Sequence, residues 1–480
     1  MQLLVRGAQA RYVDACLEVV CYEPARAGGA AGGEAGGGGP DGGDGAAKRK
    51  RKGKEPAAPG GGTAGGDGVG PSAPHSGSGG GATPPTGYFV ILDAVPEVRY
   101  DSCAKLMAAL EASPAKAGVV VLLFGEMTGW LRLRLTGTKL RGVFLNGRRA
   151  VLRGVFLDPT DKTPRHTLAV GAHNVSVSEV QICTPLNVDG CEQASAVFLK
   201  AGCSDFSMDD VYIAGDASEA VLAMVNEELT NHGHSGVWMN RGVRNASFRR
   251  VRMVDLSGDG VEMHYNASAQ FDDVMITQVR GNGAWLNASA ACELNEVHAT
   301  ACGGNGFYVD ALDVCRLHNC TSRDSGEAAL VVDVPLQTLK DVAGAALTPA
   351  LLRDGHCARG FRGSRSGTYG TLLCRGAAVD LTDAVFEDSC WNALRTEYSA
   401  RLPVGATARI TLAGAQLLRN GLSPSEDKAE AEHAAIAVER DPVTKVAHGF
   451  GLLDLGGLKI EGNGHDGIVM VDGKVKLGSG

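Results

Sequence analysis

The sequence predicts an all-β solenoid, a single stack of coils of roughly 22–24 residues, each made of short strands. One spacing recurs along the chain: a large apolar residue, a second apolar residue three positions later, and Gly or Ala nine positions after that. The chain is also rich in glycine, with 67 residues, and poor in aromatic residues, at 5%. This composition favours a β protein with many turns over a helical bundle.

The repeat is clearest in four consecutive copies, whose first residues are 23 positions apart. The copies are Phe248-Val251-Gly260, Phe271-Val274-Gly283, Leu294-Val297-Gly306 and Leu317-Cys320-Ala329. This period is too short for helical repeats, and the L-x-x-L-x-L-x-x-N pattern of leucine-rich repeats is missing. We therefore expect each coil to stack on the previous one at about 4.8 Å and to pair its backbone with the next.

Four turn-plus-strand segments carry a resemblance to a known family: "GDGVEM", "GNGAWL", "GNGFYV" and "NGHDGIVM". At this spacing they resemble the right-handed parallel β-helix of the pectin-lyase-like superfamily. The resemblance implies a single-stranded right-handed β-helix. It leaves the activity open, because this superfamily includes lyases, hydrolases, epimerases, phage tailspikes and non-catalytic binding proteins.

The composition divides the chain into four parts. Residues 1–25 are predicted to be the N-terminal segment of a small α/β cap, and 26–86 a disordered Gly/Ala/Pro-rich insertion, since such a tract buries too little apolar surface to order itself. Residues 87–139 are predicted to complete the cap and supply the first strands. Residues 140–475 are predicted to form the β-helix, with loop insertions at about 336–375 and 421–434.

Charge and hydropathy restrict the partners and the location. The net charge of −8 gives no indication of specific nucleic-acid binding, and no apolar run is long enough for a membrane helix. The first 25 residues carry Arg6, Arg11, Asp14 and Glu18, which interrupt any signal-peptide core. We therefore expect an intracellular protein, cytoplasmic or nuclear. The basic run from Lys48 to Lys54 is either a nuclear-localisation signal or a solvated linker segment, and a virion component is the alternative if the source is viral.

Alternation within the strands predicts an outward strip. The first and third residues after the Gly or Ala are apolar in successive copies, so we expect them to face the core. The second and fourth residues should then face outward and stack from coil to coil. This strip comprises Trp238, Glu262, Trp285 and Tyr308 at the second position, His264, Asn287, Asp310 and Asp333 at the fourth, and Arg395 and Glu397 of a later coil.

The charged members of the strip are candidate catalytic residues. Asp310 and Asp333, one coil apart, are expected about 5 Å from each other, where one carboxyl acts as a general acid while the other stays ionised. Glu262 and His264 complete the catalytic candidates. The two aspartates also offer the hard oxygen ligands that Ca²⁺ prefers. No other metal or cofactor is predicted, because no set of four converging zinc ligands is present.

The remaining strip residues are candidate binding residues, since aromatic faces edged by polar groups suit sugar rings: Trp238, Trp285, Tyr308, Asn287, Arg395 and Glu397. The leading hypothesis is a non-catalytic protein that presents an extended surface to a glycan or a partner protein. One alternative is a lyase or hydrolase acting on an acidic polysaccharide, and a second is a substrate-recruiting adaptor. A homotrimer, as in tailspikes, is compatible with the fold, but no residue pattern supports it.

Overall fold

The computed structural model describes a set of ranges separated by gaps. They are residues 2–5, 8–13, 16–20, 87–92, 98–113, 118–154, 156–157, 166–184, 186–187, 194–215, 234–287, 289–333, 355–367, 372–375, 378–396, 408–421, 435–438, 450–454, 456–464, 468–470 and 475–476. The predicted disordered insertion at 26–86 lies outside the described residues, and so do Glu397 and residues 422–434 of the predicted charged insertion.

The chain divides into two compact units, residues 1–85 and 86–480. In the first unit, β1 (Gln2–Val5), β2 (Ala8–Val13) and β3 (Cys16–Val20) form an antiparallel sheet. The second unit contains everything described below.

The second unit begins with a small α/β cap. Strand β4 (Tyr88–Leu92) pairs antiparallel with both β5 (Val98–Tyr100) and β6 (Val120–Phe124). Helix α1 (Cys103–Ala112) starts at Ser102, whose hydroxyl accepts a hydrogen bond from the Lys105 backbone N–H at 3.3 Å, as an N-cap residue does. The helix buries Cys103, Leu106 and Leu110 in the core.

Three strand faces build the coils, and neighbouring coils pair in parallel on each face. Two faces belong to one 25-stranded sheet that also contains β4 and β5, and the third face is a separate 12-stranded sheet. The first face contains β6, β9 (Lys139–Val143), β13 (Ser176–Ser178), β17 (Ser207–Asp209), β20 (Ala246–Arg249), β23 (Ala269–Val279), β25 (Cys292–Cys302), β27 (Cys315–His318), β30 (His356–Arg359), β33 (Val379–Thr382), β36 (Ala408–Ala413), β39 (Phe450–Asp454) and β42 (Val475–Lys476).

The second face shares the long strands β23 and β25 with the first, because these strands run around the corner between them. Its other strands are β7 (Glu126–Thr128), β10 (Ala150–Arg153), β14 (Val180–Cys183), β18 (Tyr212–Ala214), β21 (Arg252–Leu256), β28 (Thr321–Arg323), β31 (Arg362–Ser364), β34 (Val385–Glu387), β37 (Gln416–Leu418) and β40 (Lys459–Glu461). Two short strands of neighbouring coils, β11 (Phe156–Leu157) and β15 (Leu186–Asn187), pair in parallel as a separate two-stranded sheet.

The third face carries the candidate site. Its strands are β8 (Leu131–Leu133), β12 (Leu168–Val170), β16 (Ser195–Leu199), β19 (Ser235–Met239), β22 (Val261–His264), β24 (Ala284–Asn287), β26 (Phe307–Asp310), β29 (Leu330–Asp333), β32 (Leu372–Arg375), β35 (Leu394–Thr396), β38 (Ile436–Val438) and β41 (Ile468–Met470).

The inward residues stack into a continuous core, as the alternation predicted. Ala284, Leu286, Phe307 and Val309 are all at most 2% exposed. Phe248 stacks on Phe271 with ring centroids 4.8 Å apart and planes at 9°. Because equivalent positions stack from coil to coil, Phe271 lies next to Leu294 of the following coil, and the core continues along the described stack.

Single residues in the left-handed conformation turn the chain at two corners of the coil. One series is Arg250, Asp273, Glu296 and Asn319, and the other is Asp255, Gln278, Ala301 and Asp324, each with φ between 50° and 57° and each 23 residues from the next. Asn and Asp tolerate this conformation better than most residues, whereas Ala does not. The repeat period is therefore set by the corners as well as by the core.

Two predicted boundaries are wrong. The β-helix begins before residue 140, since β6, β7 and β8 already pair in parallel with the next coil. Residues 356–364 and 372–375 are not a loop excursion but regular strands, paired with the coils on both sides. Residues 336–354 of that predicted loop lie outside the described residues.

The second error has a physical cause in side-chain size. Ala358 occupies the position that Leu317 and Leu381 fill in the neighbouring coils. Phe361 directly precedes β31, as the smaller Cys320 and Ala384 precede their strands, and it is fully buried. The large and small residues have exchanged places, so the core volume is kept while the sequence template is lost.

Candidate functional site

One column of outward residues runs along the whole third face. The register pairs Trp238 with Glu262, Glu262 with Trp285, and Trp285 with Tyr308, in the order that alternation predicted. The described members of the column are Arg132, Ala169, Phe198, Trp238, Glu262, Trp285, Tyr308, Val331 and Arg395.

A second column lies two residues further along each strand. His264 is paired with Asn287, and Asn287 with Asp310. Asp310 and Asp333 follow the paired residues Val309 and Val332, so they lie in adjacent coils as predicted. The two columns together form the predicted strip.

The carboxylates of this strip are buried, while Trp285, Asn287 and Tyr308 are half-buried. Glu262, Asp310 and Asp333 are only 5%, 3% and 1% exposed, and the hydroxyl of Tyr308 donates to Oδ2 of Asp333 at 2.9 Å. The expectation that these carboxylates line an open surface is therefore wrong. Alternation within a strand shows which side chains avoid the core, but it carries no information on what else covers them.

Glu262 and His264 form a hydrogen-bonded pair. Nε2 of His264 lies 2.7 Å from Oε1 of Glu262, and the Ser235 hydroxyl donates to Oε2 at 2.9 Å. The Asn287 amide nitrogen is 3.4 Å from Nδ1 of the same imidazole. Carboxylate–histidine contacts orient general bases in enzymes, but they also satisfy buried carboxylates.

The upstream half of the third face holds an open groove of about 490 Å³. This volume falls within the range typical of small-molecule sites. We call it the upstream groove; its lining residues are Trp130, Arg132, Arg134, His166, Ala169, Val170, Gly171, Phe198, Lys200 and Trp238.

Differences in side-chain size between coils create the groove. Ala169 on strand β12 and Gly171 just after it leave this coil almost flat. The preceding coil presents Arg132 and Arg134 at the equivalent positions, and the following coil presents Phe198 and Lys200. Gly171 is exposed, and a Cβ placed there would meet nothing closer than Cδ of Lys200 at 3.6 Å. The floor of the groove is thus low because its side chains are small.

The upstream groove is cationic. Its described lining contains Arg132, Arg134 and Lys200 and no carboxylate. The guanidinium of Arg132 lies 4.2 Å from the ring centroid of Trp130. Arg134 is 3.3 Å from Glu111, an exposed pair of little energetic weight, and Lys200 forms no ion pair with any described residue.

His166 contributes an uncharged donor. The Ser195 backbone N–H donates to its Nδ1 at 3.1 Å, and the Ser195 hydroxyl lies 2.9 Å from the same nitrogen. With Nδ1 accepting the backbone bond, the imidazole hydrogen is on Nε2. Burial, assisted by the nearby His234 and Arg132, lowers the pKa of His166 to about 4, so the ring is neutral at pH 7. The rings of His166 and Phe198 stack with their centroids 4.1 Å apart. The Trp238 ring contacts both of them edge-on, with centroid distances of 5.6 Å to His166 and 5.4 Å to Phe198.

Of the predicted strip, only Trp238 lies in the upstream groove. Trp130, Arg132, Arg134, His166, Phe198 and Lys200 were missed because their coils precede the clear repeat. The signal that pointed to them is the strict alternation "WLRLRL" at 130–135, which turns the two leucines Leu131 and Leu133 inward and the Trp and Arg side chains outward. Arg395 lies near Trp391, at 5.9 Å from the ring centroid, and Glu397 is outside the described residues.

Within the described ranges, no three His, Cys, Asp or Glu side chains are grouped to hold a metal ion. In the same residues, no helix is long and apolar enough to cross a membrane.

Comparisons with known proteins bear on the fold. Residues 195–334 match the family described as "Right handed beta helix region". No curated protein sequence is similar enough to count as a match.

Several solved structures are similar in shape. An alginate lyase from Paenibacillus sp. str. FPU-7 is 13% identical, with a TM-score of 0.43, over 60% of this chain and 93% of the lyase. The A-module of an Azotobacter vinelandii mannuronan C-5 epimerase is 14% identical, with a TM-score of 0.42, over 71% and 91% of the two chains. The catalytic domain of a GH87 α-1,3-glucanase in complex with nigerose is 10% identical, with a TM-score of 0.47, over 79% and 66%.

At such low identities and TM-scores, these likenesses carry no information on the chemistry of this chain. The parallel register of the coils and the family match agree with the fold that the repeat predicts. The chain therefore folds as a right-handed parallel β-helix.

Proposed function

We propose that this protein binds an acidic glycan in the upstream groove. The observation that carries the proposal is the donor-only character of the groove: its charged and polar side chains are Arg132, Arg134, Lys200, His166 with its Nε2–H, and the indoles. A ligand that satisfies such a lining must be rich in acceptors and negatively charged. The aromatic rings supply the flat apolar faces on which sugar rings pack.

The indole of Trp238 supports the same conclusion. Its Nε1–H is buried and has no hydrogen-bond partner among the described residues. A buried donor without a partner is destabilising by roughly 1–3 kcal/mol, and a ligand oxygen offsets that cost only if the ring turns so that Nε1 opens to the groove. Binding would therefore stabilise the fold as well as occupy the groove.

Titration calorimetry with polygalacturonate, alginate and a neutral glucan tests the proposal. We expect binding of the two acidic polymers, weakening with salt because the contacts are charged. Lys200→Met should weaken binding about tenfold. The control Lys139→Met removes an exposed lysine on β9, away from the third face, and should change nothing. Equal affinity for the neutral glucan would contradict the proposal.

A second candidate function is lyase or hydrolase activity on the same class of glycan. The specific observation in its favour is the contact between Glu262 and His264, one coil beyond Trp238, whose ring centroid is 5.8 Å from that of His264. Turnover of either acidic polymer by the wild-type protein, lost in both Glu262→Gln and His264→Gln, would establish it. Asp310→Asn and Asp333→Asn test the carboxylate pair predicted from the sequence in the same assay.

A further inference from the structure

The upstream groove lies between the cap and a cluster of packed rings. Its floor is formed by Ala169 and Gly171, at the end of strand β12. The strands on either side, β8 and β16, are roughly 10 Å apart. We call the space between these two strands the slot.

Helix α1 lies directly upstream of this slot. The backbone N–H of Arg132 points to Sδ of Met107 at 3.3 Å, and Arg134 is 3.3 Å from Glu111 on the same helix. The upstream wall of the slot, formed by Arg132 on β8 and Arg134 just after it, therefore lies against the cap.

Packed rings form the downstream wall. His166, Phe198 and Trp238 all contact one another, with centroid distances between 4.1 and 5.6 Å. Beyond them lies Glu262, whose carboxylate is 5% exposed and hydrogen-bonded to Ser235 and His264. A polymer laid along the stack would have to pass over these rings.

Both walls present cations to the same slot. Arg134 and Lys200 occupy equivalent positions two coils apart, with Gly171 between them. Because the middle residue has no side chain, a sugar ring entering there meets a cation on each side.

We propose that the slot takes a short acidic saccharide, a disaccharide or the terminal unit of a longer chain, lying crosswise between coils. This inference rests on the proposed function and adds to it the size and orientation of the ligand. A carboxylate-bearing ring lies over Gly171 between Arg134 and Lys200, and its neighbour packs towards His166 and Phe198. The interior of a long polymer does not fit.

A length series of oligogalacturonates, measured by calorimetry, tests the proposal. We expect affinity to rise from the monomer to the dimer and then to stay within about twofold up to the hexamer. Partial hydrolysis of the polymer, at constant mass, should increase the number of protein molecules bound, because it creates ends. An affinity that climbs about tenfold or more between dimer and hexamer overturns the crosswise slot.

Filling the slot provides the matched variant. Gly171→Leu places a side chain on the exposed floor, where the nearest atom is the flexible end of Lys200, so folding should be retained. We expect it to weaken dimer binding at least about tenfold. The control Gln270→Leu places an apolar side chain at an exposed position on the first face, away from the groove, and should leave dimer binding unchanged.

The two proposals fail in different ways. Unchanged dimer binding in Gly171→Leu overturns the slot while acidic-glycan binding stands. No binding of any acidic saccharide by the wild-type protein, whatever its length, overturns the proposed function and the slot together.

Discussion

The backbone N–H of Ser195 donates to Nδ1 of His166, across 3.1 Å and between adjacent coils. The same bond recurs further down the stack, where Asn282 N–H donates to Asp259 and Asn305 N–H donates to Asn282. His166 thus takes the place of an asparagine in a ladder of side-chain acceptors. One residue both joins two coils and lines the upstream groove, which fixes the tautomer that faces a ligand.

The ladder predicts that Asp259→Asn stabilises the protein at alkaline pH. Burial, with a contribution from Glu262, raises the pKa of Asp259 to about 7, well above its unfolded value. The folded state therefore holds this proton more tightly than the unfolded state, and the resulting stability is lost as pH rises through 7. We expect the free energy of unfolding of Asp259→Asn to exceed that of the wild type by about 1–2 kcal/mol at pH 8.5 and by much less at pH 5, as measured by urea unfolding.

The matched variant of this ladder is Asn282→Asp. The Asn282 amide donates to Oδ1 of Asp259 at 3.1 Å, a bond that an aspartate replaces with like-charge repulsion. We expect it to destabilise the protein, increasingly so at high pH. If the difference in unfolding free energy between Asp259→Asn and the wild type does not change with pH, the raised pKa of Asp259 is contradicted.

His356 predicts sensitivity to acid. It is 1% exposed, its Nδ1 accepts from the Cys315 backbone N–H at 3.2 Å, and burial lowers its pKa to about 4 although Asp313 acts in the opposite direction. A depressed histidine pKa favours folding above the unfolded value near 6.5, and this contribution is lost as pH falls towards 4. At pH 5 the loss is about 2 kcal/mol.

Replacing the imidazole tests this prediction. His356→Gln keeps an acceptor for Cys315 but cannot take up a proton. The variant should be less stable than the wild type at pH 7.5, because packing is lost. Between pH 7.5 and 5, its free energy of unfolding should fall by about 2 kcal/mol less than that of the wild type. Identical pH profiles in denaturant titrations would contradict it.

The corner residue Ala301 predicts a stabilising substitution. It has φ of +54°, at the position where Asp255, Gln278 and Asp324 turn the other coils. Alanine is strained there, whereas asparagine tolerates this conformation, so Ala301→Asn should gain up to about 1 kcal/mol in unfolding free energy. Ala301→Val, with a β-branched side chain, should lose more than about 1 kcal/mol. The reverse order of the two variants would show that the corner is not strained.

The sequence predicted the coil period, the inward positions and the stacking order of the strip, because these depend on local spacing alone. It did not predict the coil around Phe361, where a large and a small residue exchange places, nor the burial of Asp310 and Asp333. The groove was missed for a different reason. The groove depends on the difference in side-chain size between Gly171 and the residues that flank it, Arg134 in the preceding coil and Lys200 in the following coil. That difference can be seen only when the register of the early, irregular coils is known.

Photo-crosslinking with an acidic oligosaccharide tests the central claim most directly. A digalacturonate carrying a photoreactive group is bound to the full-length protein, irradiated, and the labelled peptides are identified by mass spectrometry. The proposed site predicts labels on peptides that contain Arg132 or Lys200, competed by unlabelled digalacturonate and absent in Gly171→Leu. Competable labels confined to peptides that contain Trp285 or Tyr308 would contradict it.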